Sequence, residues 1–324
     1  MSLDTATLVY SPHYDLGVPA LEGLHPFDGR KFSRAFAELR RRLGDLADRS
    51  VAPPAPASDA DLRLVHPAGH LASLKSAAVV TAALELPALS VPDAVLAPLL
   101  DRAVLTPMRW AVAGTATAAR AALTSNRGAV NLGGGFHHAK PERAEGFCLF
   151  ADVAVAVRAL RREGLLAPGD PVAHVDLDAH RGNGVATVFA DDSSVRLLDL
   201  FNADIYPYGD RDARARIDRP VELRSGTSGA RYLGLLREHL PAFLAGFSAP
   251  PRLAFVNAGT DVVADDPLGG LALSADDVAE RDRFVLGTLS AAGIPWVMVT
   301  SGGYTDRSWR LVADTVAWAM APRA

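Results

Sequence analysis

Two carboxylates and an imidazole occupy alternate positions directly after an apolar run of this chain. Asp176, Asp178 and His180 follow Val172–Val175. In an extended strand alternate side chains point the same way, so these three share one face. Burying them together is costly unless a cation lies among them. Oxygen and nitrogen donors without thiolates, too few to close a coordination sphere, favour a catalytic divalent metal, with Zn²⁺ as first candidate. The segment alone fits equally well an aspartate that caps a helix and a histidine in a loop.

Polar side chains follow three further apolar runs. In chain order these segments are Gly133-Gly134-Gly135-Phe136-His137-His138 after Gly128–Leu132, Asn257-Ala258-Gly259-Thr260-Asp261 after Arg252–Val256, and Ser301-Gly302-Gly303-Tyr304 after Pro295–Thr300. In open parallel sheets, binding sites form beyond the carboxyl ends of the strands. The four segments can therefore converge in one pocket, and their joint pattern favours a built site over chance placement.

The elements that must position these residues alternate regularly between strand and helix. Predicted helices include Arg30–Asp45, Asp152–Glu163, Arg231–Leu244 and Ala275–Ala292, and predicted strands include Val195–Leu200 and Ala6–Tyr10 besides the four above. This alternation predicts an α/β fold whose parallel sheet is covered on both faces, with the site at the strand carboxyl ends. We expect residues 1–324 to form a single catalytic domain. The polar segment Pro207–Gly229 is expected to form a long excursion.

Composition excludes several functional classes. The chain has 324 residues, of which 49% are hydrophobic and 22% charged, with a net charge of −4. The charge gives no general attraction for nucleic acid, and no apolar run reaches the length of a membrane span. Met1 leads directly into a strand-like segment without the pattern of a signal peptide, so we expect a cytoplasmic protein. The single Cys148 excludes an intrachain disulfide and is read as a small core residue.

The motifs together resemble the zinc-dependent histone deacetylases of the arginase/deacetylase fold. The resemblance is carried by Gly134–Lys140, Gly146-Phe147-Cys148, Asp176–His180, Asn257–Asp261 and Gly302-Gly303-Tyr304. It implies a three-layer αβα architecture around a central, mainly parallel sheet. Further segments make the chain most similar to the class IV branch; they are Val9–Pro12, Leu24–Asp28 with His25, Asn202–Pro207 and Leu268–Leu271.

The resemblance assigns a role to each polar residue of the expected pocket. Asp178, His180 and Asp261 would bind the metal, Zn²⁺, which Fe²⁺ could replace in vivo. Asp176 would not be a metal ligand and would instead accept a hydrogen bond from His137. Asn183 would be the hydrogen-bond partner of His138. An amide raises an imidazole pKa less than a carboxylate does, which suits His138 as the general base. Tyr304 would stabilise the oxyanion with its hydroxyl.

The same resemblance implies a tunnel for the substrate and a second cation. Phe147, after Gly146, and Tyr206 would be the aromatic pair beside the alkyl stem of an acylated lysine. Gly302 and Gly303 allow the chain to bring the Tyr304 hydroxyl close to the metal. A structural K⁺ is expected near Asp176 and Asp199.

Three functions follow from this interpretation. The first is hydrolysis of the amide of Nε-acyl-lysine in a protein or peptide, and the class IV likeness implies that long fatty acyl groups are removed better than acetyl. The second is hydrolysis of a small acylated amine such as an acetylated polyamine, which calls for an acidic rim. For that rim, residues 85–120 offer Asp93 and Asp101, whose positions the sequence does not fix. The third is a non-catalytic acyl binder. The sequence leaves the oligomeric state open.

Overall fold

The computed structural model describes residues 6–17, 26–86 and 91–321. Within these ranges seven strands form one sheet in the order β1-β2-β7-β6-β3-β4-β5, and all neighbouring strands are parallel. The strands are β1 Thr7–Val9, β2 Gly128–Asn131, β3 Val172–Asp176, β4 Val195–Asn202, β5 Arg219–Leu223, β6 Leu253–Asn257 and β7 Trp296–Val299. The predicted parallel sheet is confirmed, and it is parallel throughout.

Helices cover both faces of the sheet. In the described ranges they are α1 Lys31–Leu43, α2 Asp45–Asp48, α3 Asp59–Leu62, α4 Ala68–Ser73, α5 Ala77–Ala83, α6 Asp93–Leu100, α7 Thr106–Ser125, α8 Asp152–Arg162, α9 Asn183–Val188, α10 Arg211–Arg216, α11 Gly229–Ala245, α12 Ala275–Ala291 and α13 Ser308–Met320. A π-helical turn, Asp101–Leu105, joins α6 to α7. None of the helices in these ranges is both long and apolar enough to cross a membrane.

Two apolar cores, one on each face, produce the three layers. Along β7, Val297 and Val299 belong to the core that contains α4 to α9. Trp296 and Met298 belong to the opposite core, with α1 and α11 to α13. Because successive strand residues point to opposite faces, a run of apolar residues without alternation is what a strand buried on both sides requires.

One sequence expectation was wrong. The segment Pro207–Gly229 is not a simple excursion, because it contains α10 and the edge strand β5. Arg219–Leu223 buries Val221 and Leu223 and leaves Glu222 exposed. Pro220 has no N–H to donate, which suits a strand that pairs only with β4.

The order of the strands brings the four polar strand ends together. β2, β7, β6 and β3 are consecutive neighbours in the sheet. All four run in the same direction, so the segments that follow them emerge at one edge. The site therefore lies where the sequence pattern places it.

Candidate active site

Three ligand-type side chains converge at this edge. Asp178 and His180 follow β3, and Asp261 follows β6. The Nδ1 atom of His180 lies 2.9 Å from Asp261 Oδ2 and 3.1 Å from Asp178 Oδ1. One donor atom from each of the three buried residues lies within 4.8 Å of the others, which is the spacing of ligands around one metal ion. We call these residues the Asp–His–Asp group.

The surroundings of the Asp–His–Asp group fit a divalent cation. Burial and the neighbouring Asp178 carboxylate raise the pKa of Asp261 to about 7, so two adjacent carboxylates call for a positive charge between them. A Cβ at Gly302 would come within 2.6 Å of Asp178 Oδ2 and 2.7 Å of Asp261 Oδ2, so glycine keeps this space free. The Ser301 hydroxyl and the Gly302 N–H donate to Asp178 Oδ2 at 2.9 and 3.0 Å, which fixes that carboxylate.

His137 is paired with a carboxylate. Its Nδ1 atom lies 2.8 Å from Asp176 Oδ2, and the Asn257 amide donates to Asp176 Oδ1 at 2.8 Å. Burial by itself lowers the pKa of His137, but Asp176 and Asp178 outweigh it and raise the pKa to about 9. His137 is therefore a cation near neutral pH, and Asp176 lies in the position that the resemblance implies.

His138 is paired with an amide. Its Nδ1 atom lies 2.7 Å from Asn183 Oδ1, and its ring centre is 4.1 Å from that of His137. Burial and the neighbouring His137 and His180 hold the pKa of His138 well below the ordinary value for histidine. Burial lowers the pKa of both histidines. The Asp176 carboxylate compensates this effect for His137, whereas the Asn183 amide does not do so for His138, and the two rings therefore differ in charge.

Aromatic side chains form the opening above these groups. We define the mouth as the cavity lined by Glu85, His138, Gly146, Phe147, His180, Ile205, Tyr206, Tyr208, Pro267, Leu268 and Tyr304. The rings of Phe147 and Tyr304 are 5.7 Å apart, and Tyr206 is 5.1 Å from His138. A Cβ at Gly146 would lie 2.5 Å from the His138 ring, so only glycine lets Phe147 approach here. His25 lies outside the described residues.

Tyr304 carries a hydroxyl that stays protonated. Its backbone N–H donates to Asp266 Oδ2 at 2.8 Å, which fixes the turn after Gly302-Gly303. Burial and the Asp178 and Asp261 carboxylates raise its pKa well above the ordinary tyrosine value. The hydroxyl can therefore donate a hydrogen bond at neutral pH.

Asp199 faces Asp176 across neighbouring strands. The two residues are paired in the β3–β4 register and both are buried. The Gly182 N–H donates to Asp199 Oδ2 at 2.9 Å, and Oδ1 has no partner within the described residues. Burial and Asp176 raise the pKa of Asp199 well above its usual range. The orphaned oxygen fits the monovalent cation expected here.

Sequence reasoning missed three buried charges that hold the site. The Lys31 ammonium donates to the carbonyls of Ser301 and Gly302 at 2.9 and 2.7 Å, and burial lowers its pKa to about 8. The Asp152 carboxylate accepts from the N–H groups of Gly135 and Phe136 at 3.0 and 2.9 Å.

Arg281 is the third of these charges. It donates to the carbonyls of Leu177 and Gly259 at 2.9 and 2.8 Å, and it pairs with Asp282. It therefore ties together the two segments that carry the Asp–His–Asp group.

The mouth has one acidic residue among its described lining side chains, Glu85, which the sequence interpretation did not consider for an acidic rim. Glu85 lines the mouth at the end of α5, with a φ of 53°. Asp93 instead accepts a hydrogen bond from Ala77 N–H at 2.7 Å, and Asp101 is exposed. Neither of the two residues considered for an acidic rim lines the mouth.

A second, inner cavity extends from the site and is lined by side chains of both apolar cores. Its apolar lining comes mainly from α1, α7 and the segments before them: Tyr14, Leu16, Phe27, Phe32, Leu84, Pro107, Met108, Ala111 and Phe136. It also touches His137, Asp178 and Tyr304, so it opens directly beside the Asp–His–Asp group.

Comparisons with known proteins identify the family of this chain. A family model described as the histone deacetylase domain matches residues 25–320. The chain is 41% identical to "Histone deacetylase 2" of Arabidopsis thaliana over 317 residues, covering 97% of this chain and 78% of that protein. It is 32% identical to a "Histone deacetylase-like amidohydrolase" of Pseudomonas aeruginosa, covering 83% and 72%.

A solved structure, "Crystal Structure of HDA15 HD domain", superposes with a TM-score of 0.71 at 22% identity, covering 97% of this chain and 89% of that one. At this identity the match supports the arginase/deacetylase fold alone. The fold and site define a hydrolase of the deacetylase class. With the family match over most of its length, the chain belongs to the histone deacetylase family.

Proposed function

We propose that this protein is a zinc-dependent hydrolase of the amide of Nε-acyl-lysine. The observation that carries the proposal is the convergence, where the mouth meets the inner cavity, of the Asp–His–Asp group, a neutral His138 and the Tyr304 hydroxyl. Two carboxylates and one imidazole leave coordination positions open, as catalytic zinc sites do.

In the proposed reaction the metal ligands, His138, Tyr304 and His137 have separate roles. A divalent metal held by the Asp–His–Asp group would polarise the amide carbonyl and lower the pKa of a water. His138 accepts the proton of the attacking water on Nε2, because its Nδ1 is occupied by Asn183. The Tyr304 hydroxyl donates to the oxyanion that forms on the former carbonyl oxygen. His138 then returns its proton to the departing amine, while His137 contributes positive charge.

The walls of the site suit an acylated alkyl amine. Phe147 and Tyr206 line the mouth, where the methylene stem of lysine would pass between aromatic rings. The inner cavity begins at the reaction centre and is lined by aliphatic and aromatic side chains. An apolar wall beyond the scissile carbonyl favours an alkyl chain at that place, and this supports the proposed preference for fatty acyl groups over acetyl and a class IV character.

A specific observation keeps small acylated amines as a second candidate. Glu85 places a carboxylate at the mouth, where it could attract the free ammonium of an acetylated polyamine. The same residue could also contact a cationic side chain next to the acyl-lysine of a peptide.

A substrate panel separates these functions. The zinc-loaded protein is assayed with acetyl-, octanoyl- and myristoyl-lysine peptides and with acetylated polyamines, and Glu85→Gln is compared with the unchanged protein. We expect hydrolysis of the peptides, highest for the longer acyl groups, and less than a threefold effect of Glu85→Gln. Cleavage of polyamines alone, with a tenfold or larger loss in Glu85→Gln, would establish the second candidate. Acyl peptides that bind without being cleaved would support a non-catalytic acyl binder.

A further inference from the structure

We infer that Glu145 and Asp210 are positioning residues that hold the Asn183 amide in one orientation and so fix the ring proton of His138 on Nδ1. This inference rests on the proposed role of His138 as base. Asn183 by itself does not determine that proton. An asparagine can present either its oxygen or its nitrogen, so a flipped amide would demand an unprotonated Nδ1 and put the proton on Nε2.

Two carboxylates lie on the other side of the Asn183 amide. Asn183 Nδ2 is 2.7 Å from Glu145 Oε1 and 3.0 Å from Asp210 Oδ2. Ionised carboxylates only accept hydrogen bonds, so the nitrogen must face them. The oxygen must then face His138, whose Nδ1 lies 2.7 Å away. A flip would lose two charge-assisted hydrogen bonds and set the amide oxygen against two anions.

Cationic side chains lie beside both carboxylates. Lys140 Nζ lies 2.7 Å from Asp210 Oδ2 and 3.2 Å from Glu145 Oε1. Arg143 Nε lies 2.8 Å from Glu145 Oε2. Although burial raises the pKa of Asp210, the hydrogen bonds from Lys140 and Asn183 lower it below the usual value.

The network comes from separate parts of the chain. Lys140 and Glu145 follow His138 closely, Asn183 begins α9, and Asp210 directly precedes α10. The segment Pro207–Gly229, which the sequence did not connect with the site, thus contributes a residue that acts on the base through an amide. With the proton held on Nδ1, the lone pair of Nε2 is free to accept a proton from water.

The primary test is the double variant Glu145→Gln/Asp210→Asn in zinc-loaded protein. Each new amide can donate or accept, so both orientations of Asn183 become satisfied. We expect kcat to fall 10- to 100-fold with KM changed less than threefold. In ¹⁵N-histidine-labelled protein, the His138 signal, assigned by its absence from His138→Gln, should change from the Nδ1–H form to a mixture with the Nε2–H form.

A matched control replaces two carboxylates that pair with arginines elsewhere. Glu163→Gln/Asp61→Asn removes the partners of Arg120 and Arg162 on the surface. It should leave kcat and the His138 signal unchanged. If the double variant does not fold, Glu145→Gln and Asp210→Asn are measured singly. Each should lower kcat and change the His138 tautomer signal in the same direction, by a smaller amount.

A charge exchange gives a second, independent test. Asn183→Asp alone sets three carboxylates together and should lose more than 100-fold in kcat. Combining it with Glu145→Gln/Asp210→Asn places one carboxylate between two amides, which restores a fixed acceptor for His138 and should raise kcat at least tenfold above that of Asn183→Asp.

An unchanged His138 tautomer and unchanged kcat in the double variant, or strictly additive losses in the triple variant, would overturn the inference. Absence of amide hydrolysis in the unchanged protein would instead contradict the proposed function, while the tautomer measurement would still test the orientation.

Discussion

The adjacent residues His137 and His138 differ in charge: at neutral pH the first is a cation and the second is neutral. His137 faces the Asp176 carboxylate and has a pKa of about 9, whereas His138 faces the Asn183 amide and has a pKa well below the ordinary value. A histidine that must accept a proton at neutral pH has to be neutral beforehand. His138 meets this condition and His137 does not.

The histidine pair gives the first prediction. His138→Ala should lower kcat by about 10²- to 10⁴-fold near pH 7, as expected for loss of a general base. His137→Ala should cost less, because His137 contributes charge and orientation. Steady-state kinetics of both variants at equal zinc content check the ranking, and the reverse order would refute the assignment of the base.

The second prediction concerns Tyr304. Tyr304→Phe removes one hydroxyl and keeps the ring that packs near Phe147 and His180. We expect kcat to fall by about 10²- to 10³-fold, as for loss of an oxyanion donor, with bound zinc unchanged by elemental analysis. Phe147→Leu is the control for altered packing and should mainly raise KM. Full turnover in Tyr304→Phe would contradict its role.

Single residues were predicted well where a motif determines them and poorly where packing does. Asp178, His180 and Asp261 stand at strand ends, so their convergence follows from a parallel sheet. Arg281 was missed although a signal exists, since its spacing from Val278 and Val285 sets it on the apolar side of α12. Lys31 gives no comparable signal, because its carbonyl partners are about 270 residues away.

At the level of elements, the start of α8 holds the loop Gly133–His138. The buried Asp152 in its first turn accepts from Gly135 N–H, Phe136 N–H and the Thr115 hydroxyl. Asp152→Ala leaves these donors without a partner, so we expect a loss of about 2–4 kcal/mol in unfolding free energy and a lower kcat. Urea unfolding measures the first quantity. Asp170→Ala, which removes an exposed hydrogen bond to Ala167, should cost less than about 1 kcal/mol; equal losses would contradict the account.

His66, which precedes α4, links the start of α8 to the segment after His138 and makes stability depend on pH. It lies 2.9 Å from the Pro141 carbonyl and accepts from Ala151 N–H, and burial lowers its pKa from 6.5 to about 4. Between these values the unfolded chain binds more protons than the folded one, so stability falls as pH drops through this window. The loss is about 3 kcal/mol and is complete near pH 4.

Urea unfolding at several pH values checks this prediction. His66→Asn should have a smaller slope of unfolding free energy between pH 6.5 and 4, from a lower starting stability. The exposed His13 serves as control, and His13→Asn should keep the slope of the unchanged protein. Equal slopes in all three proteins would show that His66 is not the group responsible.

Strands were predictable in proportion to their burial on both faces. The central strands are continuous apolar runs, and the sequence located each of them. β5 was missed because an edge strand exposes one face and pairs on one side, so Arg219–Leu223 reads as polar. α10 is a short helix, Arg211–Arg216, whose charged residues gave no apolar stripe.

At the scale of the whole molecule, the metal site should couple to folding. The Asp–His–Asp group joins segments that follow β3 and β6, and buried adjacent carboxylates oppose folding until a cation compensates them. Zinc at 100 times its Kd should therefore stabilise the protein by about 3 kcal/mol and raise the thermal midpoint. Asp261→Asn should remove most of this response in a thermal unfolding assay. A zinc response of full size in Asp261→Asn would place the metal elsewhere.

The central claim is that one metal ion at the Asp–His–Asp group makes this protein an acyl-lysine hydrolase. Its most direct test is hydrolysis of an acyl-lysine peptide to the carboxylic acid and the peptide with an unmodified lysine, by protein stripped with a chelator and then titrated with Zn²⁺. The account predicts negligible hydrolysis in the stripped protein and recovery that reaches a plateau at one equivalent of zinc, with no recovery in Asp261→Asn. Full hydrolysis by the stripped protein, or no hydrolysis of any acyl-lysine peptide after zinc is restored, would contradict it.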